Sequence, residues 1–321
     1  MKKIIYAALI IILCAVLTIS IFNVVKTVNN NAQLKDNSDY VSRVLERDGV
    51  SFYPKQDITT FLFIGLDRTG TVQESESYNN SARADVVSVI TFDNSKKQIN
   101  VLNLNRDSIV PVQVLSVAGY PTGTVSQQLA LAHTYGKGVR DSAENTVETV
   151  SKYLYNLKID YYVTLGMDCI ETINDALGGV KVNVTDDFSA VDASIPKGEV
   201  LLNGKQAVSF IRHRQTIGDG LNSSRMPRQS EYFKGLIEAV KRKQSEDSDT
   251  ILNVYEQLDG RMLTNCSAQT LSDILGKISD YEVAQIITPK GENVMGEEFA
   301  EFHIDSEDID KIILDFFYSK K

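Results

Sequence analysis

The stretch TTFLFIGLD, residues 59–67, is a continuous apolar run that ends in a carboxylate, Asp67. Continuous runs of this kind are typical of strands that are buried on both faces of a sheet. The run therefore predicts a buried strand, with which the globular part of the chain begins at Ile58. Asp67 then lies at the carboxyl end of that strand.

Two further strands are predicted to follow as a hairpin. Their sequences are RADVVSVITF, residues 83–92, and QINVLNLN, residues 98–105, and DNSKK joins them. We expect Arg83 and Asp85 on one face, because residues two apart in a strand point the same way. Arg106 directly follows the second strand.

The rest of the chain alternates between helical and extended patterns. Helices are predicted at residues 141–155, 168–177, 229–242, 249–258, 267–278 and 306–317, and strands at residues 161–167, 180–184 and 283–287. Residues 69–82, rich in Ser, Asn and Glu, are predicted to form a surface loop. This alternation predicts an α/β fold in which helices cover both faces of a sheet.

The N-terminus indicates a membrane protein. Residues 4–25 form an uncharged run that is long enough to cross a hydrocarbon core of about 30 Å, and no cleavage site is evident. Lys2 and Lys3 favour a cytoplasmic tail of residues 1–3, which makes residues 4–25 a transmembrane helix and places the chain after about residue 26 outside the cell. Residues 26–57 are predicted to be an extracellular stalk with a helical pattern over residues 40–47, and residues 58–321 to be one domain.

Composition excludes several classes of protein. A formal net charge of -9 argues against nucleic-acid binding, whereas 43% hydrophobic residues suffice for a packed core. The sequence contains no zinc-type spacing of His and Cys, no G-x-S-x-G and no Walker loop. Cys169 and Cys266 could pair, but two cysteines are no disulfide framework. His133 and His303 are isolated, which favours a structural role.

Arginine is concentrated in GKQAVSFIRHRQTIGDGLNSSRMPRQ, residues 204–229, which contradicts the acidic balance of the chain. If residues 210–215 are extended, Arg212 and Arg214 share a face. The pattern becomes helical from Ser223, so Arg225 and Arg228 share a face near a helix N-terminus, which also attracts anions. Two such pairs would form a phosphate clamp. The alternative is a solvated face or pairing with the protein's own carboxylates.

Two aspartates could complete such a site. Asp67 and Arg106 lie at the ends of neighbouring predicted strands, and a carboxylate near arginines remains ionised. Asp67 and Asp85 could then bind Mg²⁺ together with substrate phosphate oxygens. Arginines and a metal ion are what a developing phosphoryl charge requires. Ordinary ion pairing across strands is the alternative.

Six motifs together resemble the LytR-CpsA-Psr family of Gram-positive envelope proteins. They occur in order over roughly residues 58–321: GLD at 65–67, RAD at 83–85, LNRD at 104–107, IDYYVTLGM at 159–167, ALGGVKVNV at 176–184 and LNGKQAVSFIRHR at 202–214. The short N-terminal tail and the single apolar span also resemble that family. So many ordered matches are more specific than any one of them.

The resemblance implies a fold and a reaction. The fold is an α/β domain with a mixed central sheet, which holds a polyprenyl tail in an apolar pocket and its pyrophosphate under the arginines. The reaction is transfer of a glycopolymer, as its sugar-1-phosphate, from undecaprenyl pyrophosphate to a peptidoglycan hydroxyl. Teichoic acid and capsular polysaccharide remain open as the polymer, and the apolar late helices could equally be ordinary core.

The resemblance also implies roles for individual residues. The pyrophosphate ligands are Arg83, Arg106, Arg212, Arg214, Arg225, Arg228 and Gln229. Asp67 and Asp85 are the implied ligands of Mg²⁺, for which Mn²⁺ could substitute, and Asp107 has a supporting role. The implied catalytic residues are Asp85, Arg106 and Asp219. The family usually has an aspartate where this chain has Asn222, so the general base is either Asp219 or Asp85.

Two other classes of function use the same residues. One is a hydrolase that cleaves polyprenyl pyrophosphate with water as the acceptor. The other is a noncatalytic regulator that binds a lipid phosphate. Dependence on an acceptor separates the transferase from the hydrolase, and turnover of the donor separates both from the regulator.

Overall fold

A computed structural model describes residues 43–213, 217, 221–297 and 299–320. The predicted cytoplasmic tail, the predicted transmembrane helix and residues 26–42 of the predicted stalk lie outside these ranges. Within them, every helix is too short or too polar to cross a bilayer.

The described residues form short strands and helices that alternate along the chain. The strands are β1 (Leu45–Arg47), β2 (Val50–Pro54), β3 (Ile58–Leu66), β4 (Ala84–Asp93), β5 (Gln98–Leu104), β6 (Ile109–Leu115), β7 (Pro121–Gln128), β8 (Tyr161–Gly166), β9 (Val180–Val184), β10 (Gly198–Leu202), β11 (Met262–Thr264), β12 (Glu282–Ile287), β13 (Gly291–Met295), β14 (Ala300–Ile304) and β15 (Tyr318–Lys320). The α-helices are α1 (Arg140–Tyr153), α2 (Met167–Ala176), α3 (Gly204–Arg212), α4 (Asn222–Glu246), α5 (Thr250–Gln257), α6 (Ala268–Leu275) and α7 (Ser306–Phe317). Two 3₁₀ helices lie at Leu129–Thr134 and Ile278–Asp280.

The chain divides into two units, of which one ends at Pro54 and includes the C-terminal strand. Its described part is a three-stranded antiparallel sheet in the order β1-β2-β15. The predicted helical pattern is wrong for residues 45–47, which are strand β1. Asp48 and Gly49 have φ of 51° and 73°, and an Asp-Gly pair with both φ positive is a preferred hairpin turn.

The second unit, Lys55–Phe317, is built on a six-stranded sheet in the order β11-β8-β3-β4-β5-β12. Pairs β3–β8 and β5–β12 are parallel and the other neighbours are antiparallel. This confirms the predicted α/β fold with a mixed central sheet. The stretch at residues 59–67 forms the interior strand β3, and the predicted hairpin is β4–β5.

Both faces of the sheet are covered. Phe61, on one face of β3, belongs to a buried cluster with Ile99 of β5 and Ile237 of α4. The alternate residues of β3, Leu62 and Ile64, point to the other face and are completely buried. A sheet buried on both sides explains why the sequence of β3 is a continuous apolar run rather than an alternating one.

The prediction of an extended segment over residues 210–215 is wrong for residues 210–212, which belong to α3. Asn203 Oδ1 accepts a hydrogen bond from the Gln206 amide at 3.0 Å, and Gln206 Oε1 accepts one from the Asn203 amide at 3.0 Å. This capping box starts a helix whose buried residues, Ala207, Phe210 and Ile211, have helical spacing. Hairpins β6–β7 and β13–β14 were not predicted.

Candidate active site

Asp85 occupies a β-bulge between β3 and β4. Gly65 is paired with Val86 and Leu66 with Ala84, so Asp85 is the extra residue. Its side chain is 7% exposed, whereas Arg83, immediately before β4, is exposed. The prediction that Arg83 and Asp85 share a strand face is therefore wrong: Arg83 precedes the strand, and the bulge interrupts the alternation.

Two buried guanidinium groups bind the Asp85 carboxylate. Arg106 Nη1 donates to Oδ1, and Arg225 Nη1 lies 3.3 Å from Oδ2. Arg225 Nη2 also donates to the Asp85 carbonyl oxygen at 3.3 Å. Arg106 is 8% exposed and Arg225 is 2% exposed. Asp85, Arg106 and Arg225 form a buried group, here called the Asp85 cluster, whose guanidinium groups are donors of the kind that bind phosphate.

Two asparagines hold the Asp85 cluster in place. Asn222 Oδ1 accepts from Arg225 Nε at 3.2 Å and from Nη2 at 2.7 Å, while Asn222 Nδ2 donates to Asn105 Oδ1 at 2.8 Å. Asn105 Oδ1 also accepts from the Asp107 amide at 3.0 Å. The Arg106 Nε and Asp107 Oδ1 atoms are 3.3 Å apart. Asn222, at the usual aspartate position, therefore orients an arginine and is no base.

Three of the predicted site residues, Asp67, Arg83 and Arg212, are exposed, and they are here called the rim of the site. Arg212 Nη2 lies 3.2 Å from Asp67 Oδ1, with side chains 53% and 48% exposed. The Asp67 amide donates to the Arg83 carbonyl oxygen at 3.4 Å, so Arg83 lies beside this pair. The Arg83 side chain makes no hydrogen bond or ion pair with the described residues. Arg214 and Asp219 lie outside the described residues.

Arg228 is directed away from the Asp85 cluster. It is 4% exposed, and Nη1 lies 2.8 Å from Asp186 Oδ2. Nε donates to the Phe210 carbonyl oxygen at 3.1 Å, Nη2 donates to that of His213, and the guanidinium stacks 5.7 Å from the Phe188 ring centroid. Arg228 thus joins the end of α3 to α4, which matches the alternative of pairing with the protein's own carboxylates.

Gln229 lines an apolar cavity of about 70 Å³, here called the outer cavity. The residue is 8% exposed, and its Nε2 has no hydrogen-bond partner among the described residues. An inner cavity of about 180 Å³ lies farther along α4, between the sheet and α6. Apolar side chains line both cavities almost completely, so they suit a hydrocarbon chain.

The donor chemistry of the site fits Mg²⁺. Among the described residues no group of three or more His, Cys, Asp or Glu side chains could hold a metal ion. Mg²⁺ needs only one or two carboxylates when phosphate oxygens and water complete its shell. An ionised carboxylate has about four lone-pair positions, and arginines use one at each Asp85 oxygen. Each Asp85 oxygen therefore retains a lone pair for an ion that arrives with a phosphate, and Asp67, with one oxygen paired to Arg212, retains its other oxygen.

His133 supports the segment that precedes Arg83. It is completely buried, and its Nδ1 donates to the Ala82 carbonyl oxygen at 3.0 Å. Burial lowers the pKa of His133 to about 4, so the ring is neutral at pH 7. Its role is structural, as its isolation in the sequence predicted.

Both described cysteines are buried free thiols. Burial raises the pKa of Cys169, and it raises the pKa of Cys266 to about 11. Of the two possibilities left open by the sequence, the described residues therefore show unpaired thiols with little thiolate character.

The fold and the site define a class of protein: an α/β protein whose buried arginines and apolar cavities together suit an amphiphile with an anionic head group. A family model described as the LytR_cpsA_psr family matches residues 18–314. The chain belongs to that family.

Relatives of known name are similar over much of the chain. The polyisoprenyl-teichoic acid–peptidoglycan teichoic acid transferase TagU of Bacillus subtilis is 26% identical over 245 residues, which are 76% of this chain and 71% of TagU. The corresponding transferase TagV of the same organism is 30% identical over 218 residues, 62% of this chain. That match spans 51% of TagV, so this chain spans about half the length of that relative.

Solved structures support the fold. The crystal structure of Bacillus subtilis TagV has a TM-score of 0.62 at 24% identity and covers 82% of this chain and 96% of that one. TagT bound to LIIa-WTA has a TM-score of 0.64 at 22% identity and covers 86% of this chain and 94% of that one. At these identities the likeness is one of fold.

Proposed function

We propose that this protein transfers an anionic cell-wall glycopolymer, of the teichoic acid or capsular type, from undecaprenyl pyrophosphate to a peptidoglycan hydroxyl. The observation that carries the proposal is the Asp85 cluster, with its two buried guanidinium groups, together with the two apolar cavities, of which Gln229 lines the outer one. A pyrophosphate with a polyprenyl tail has complementary chemistry. The relatives TagU and TagV, which are named as polyisoprenyl-teichoic acid–peptidoglycan teichoic acid transferases, support the same class of reaction.

The proposed reaction is a phosphoryl-group displacement. The acceptor hydroxyl oxygen bonds to the phosphorus that carries the sugar, and the bond from that phosphorus to the bridging oxygen breaks. Undecaprenyl phosphate leaves with the electron pair, and the hydroxyl proton passes to a base. The product is a phosphodiester between the glycopolymer and peptidoglycan. Negative charge therefore grows on the leaving phosphate, where fixed guanidinium groups stabilise it most.

The arginines fall into a buried, fixed pair and an exposed pair. Arg106 and Arg225 are held rigidly by Asp85 and need no reorganisation when the phosphate arrives. Arg83 and Arg212 are exposed at the rim and are free to close on the glycan-bearing phosphate. Asp219 and Asp85 are the candidate bases, and the two arginines bound to Asp85 favour Asp219 for that role.

Mg²⁺ would be held by Asp67 and Asp85 together with pyrophosphate oxygens, and it would neutralise phosphate charge there. A predicted membrane anchor at residues 4–25 would keep the domain outside the cell, beside a donor that is itself in the membrane.

The test uses the full chain in detergent micelles with a short-chain polyprenyl-pyrophosphate glycan, Mg²⁺ and peptidoglycan oligomers, and mass spectrometry of the products. We expect a phosphodiester-linked glycan that EDTA abolishes and that Mg²⁺ or Mn²⁺ restores. Arg83→Ala is the matched variant, because its side chain is exposed; it should fold normally and lose about tenfold in transfer.

The two alternatives give different products in the same assay. Cleavage of the donor without an acceptor adduct would identify a polyprenyl-pyrophosphate hydrolase. A donor that is bound but remains intact would identify a noncatalytic lipid-phosphate-binding protein. Either result would contradict the proposed transferase.

A further inference from the structure

The outer and inner cavities follow one stripe of α4. Gln229 lines the outer cavity, Phe233 and Leu236 line both, and Val240 lines the inner cavity. Residues three and four apart share a helix face, and 11 residues of α-helix advance roughly 16 Å. The two cavities therefore form one path that leads away from the Asp85 cluster, since Arg225 precedes Gln229 by one turn.

An aromatic pair stands where the cavities meet. Phe63 of β3 and Phe233 of α4 contact edge to face, with ring centroids 5.5 Å apart and an interplanar angle of 86°. With Leu236, they are the three residues that line both cavities. Both rings are half-buried, although each lies between a sheet and a helix. The pair therefore forms the partition between the outer and the inner cavity.

The side chains at the two ends of this path indicate which kind of molecule it would bind. Two polar side chains line the outer cavity: the Tyr232 hydroxyl donates to Asn174 Oδ1 at 3.1 Å, whereas Gln229 Nε2 has no partner among the described residues. Gln229 lies one helical turn after Arg225 of the Asp85 cluster. The inner cavity is lined by apolar residues throughout. A molecule that satisfies both ends has a phosphate head and a long hydrocarbon tail, with the head at Gln229 and the tail directed toward Val240.

We propose that Phe233 determines how much of the polyprenyl tail this protein holds, an inference that rests on the proposed function. With the ring against Phe63, the first isoprene units fill the outer cavity. A longer tail enters the inner cavity only when the Phe233 ring rotates away from Phe63. Loss of the aromatic contact lowers the affinity for such a tail by about 2- to 10-fold relative to an open path.

The test measures binding of polyprenyl phosphates with two, three and four isoprene units to the full chain in amphipol, by calorimetry. The quantity of interest is the ratio of the Kd for two units to the Kd for four units. Phe233→Ala removes the partition, so the ratio should rise about tenfold above wild type while the Kd for two units changes by less than about threefold. Phe63→Leu opens the same partition from the sheet and should raise the ratio in the same direction if Phe233→Ala folds poorly.

Two control variants each alter one cavity. Ile170 lines the outer cavity alone, so Ile170→Ala should weaken binding of all lengths equally and leave the ratio unchanged. Leu275 lines the inner cavity alone, so Leu275→Ala should weaken binding of the longest lipid and lower the ratio. An unchanged ratio in both partition variants, or a risen ratio in Ile170→Ala, would overturn the role of Phe233.

Failure of the proposed function gives a separate result. If wild type binds none of the polyprenyl phosphates at any length, the lipid-linked donor itself is excluded, whatever the variants do. If lipids of every length bind and the ratio is the same in wild type and in both partition variants, the lipid-linked donor is still supported. Only the role of Phe233 as a partition is then contradicted.

Discussion

Arg225 contacts Asp85 through both of its terminal nitrogens: Nη1 lies 3.3 Å from the carboxylate, and Nη2 donates to the backbone carbonyl oxygen at 3.3 Å. Asn222 accepts from the remaining edge of the same guanidinium. The planar fork is thus fixed to both the main chain and the side chain of a bulge. Lysine has the same charge but lacks this fork.

Replacing Arg225 by lysine should therefore lower transfer by about 100-fold and the free energy of unfolding by about 1–3 kcal/mol. Product formation and urea unfolding are the two measurements. Arg242→Lys is the matched control, because Arg242 lies on the same helix and donates to the carbonyl oxygens of Leu177 and Gly179, away from the Asp85 cluster. Equal transfer by the two variants would contradict a role for the fork.

A second prediction concerns Asn222→Asp. Its carboxylate would still accept from Arg225, but it would also face Asn105 Oδ1, which now accepts from Asn222 Nδ2. Rotation of the Asn105 amide would supply Nδ2, which has no partner among the described residues, as a donor to the new carboxylate, but it would take Oδ1 away from the Asp107 amide. We expect the free energy of unfolding to fall by about 1 kcal/mol and transfer to rise several-fold, because a carboxylate then stands where the resemblance to the family implies one. A fall in transfer would show that the asparagine pair is required.

A third prediction is that Arg228 stabilises the fold, whereas Arg83 binds the phosphate of the donor. Arg228→Met leaves Asp186 and two carbonyl oxygens without their donor; because the Asp186 side chain is 37% exposed, the cost comes mainly from the two carbonyl oxygens and should be about 2 kcal/mol. Arg83→Met removes an exposed side chain, so the free energy of unfolding should stay within about 0.5 kcal/mol while polyprenyl-pyrophosphate affinity falls. Chemical denaturation and lipid binding measure the two effects. The reverse pattern would assign phosphate binding to Arg228.

The stability of the protein should depend on pH through His133. Its pKa is about 4 in the folded protein and about 6.5 when exposed, so the unfolded state takes up the proton first as pH falls. The contribution of neutral His133 to the free energy of unfolding is therefore complete above pH 6.5. It decreases by about 3 kcal/mol in total as the pH falls to 4.

The comparison that isolates this effect is His133→Asn, whose Nδ2 can still donate to Ala82 but does not titrate. Between pH 7 and pH 4, wild type should lose about 3 kcal/mol more unfolding free energy than the variant. Identical losses measured by urea titration at the two pH values would mean that His133 is protonated in the folded protein.

The sequence by itself determined the central strands and most of the helices. The continuous apolar run at residues 59–67 became the interior strand β3, and helix α7 matches its predicted bounds, residues 306–317. These signals are local, since they depend on side-chain periodicity and on what a buried strand requires. The capping box at Asn203 and the Asp48-Gly49 turn are equally local signals, and in the structure they prevail over the extended and helical patterns that overlap them.

Only the tertiary structure decided how the charged residues are grouped. A bulge of one residue separates Asp85 from the exposed Arg83, and the two helical arginines diverge because Asp186 and the end of α3 attract Arg228 while Asp85 attracts Arg225. The Phe63–Phe233 partition joins residues 170 positions apart in the chain. Periodicity places a side chain on a face, but which partner it meets depends on the packing of elements that are distant in sequence.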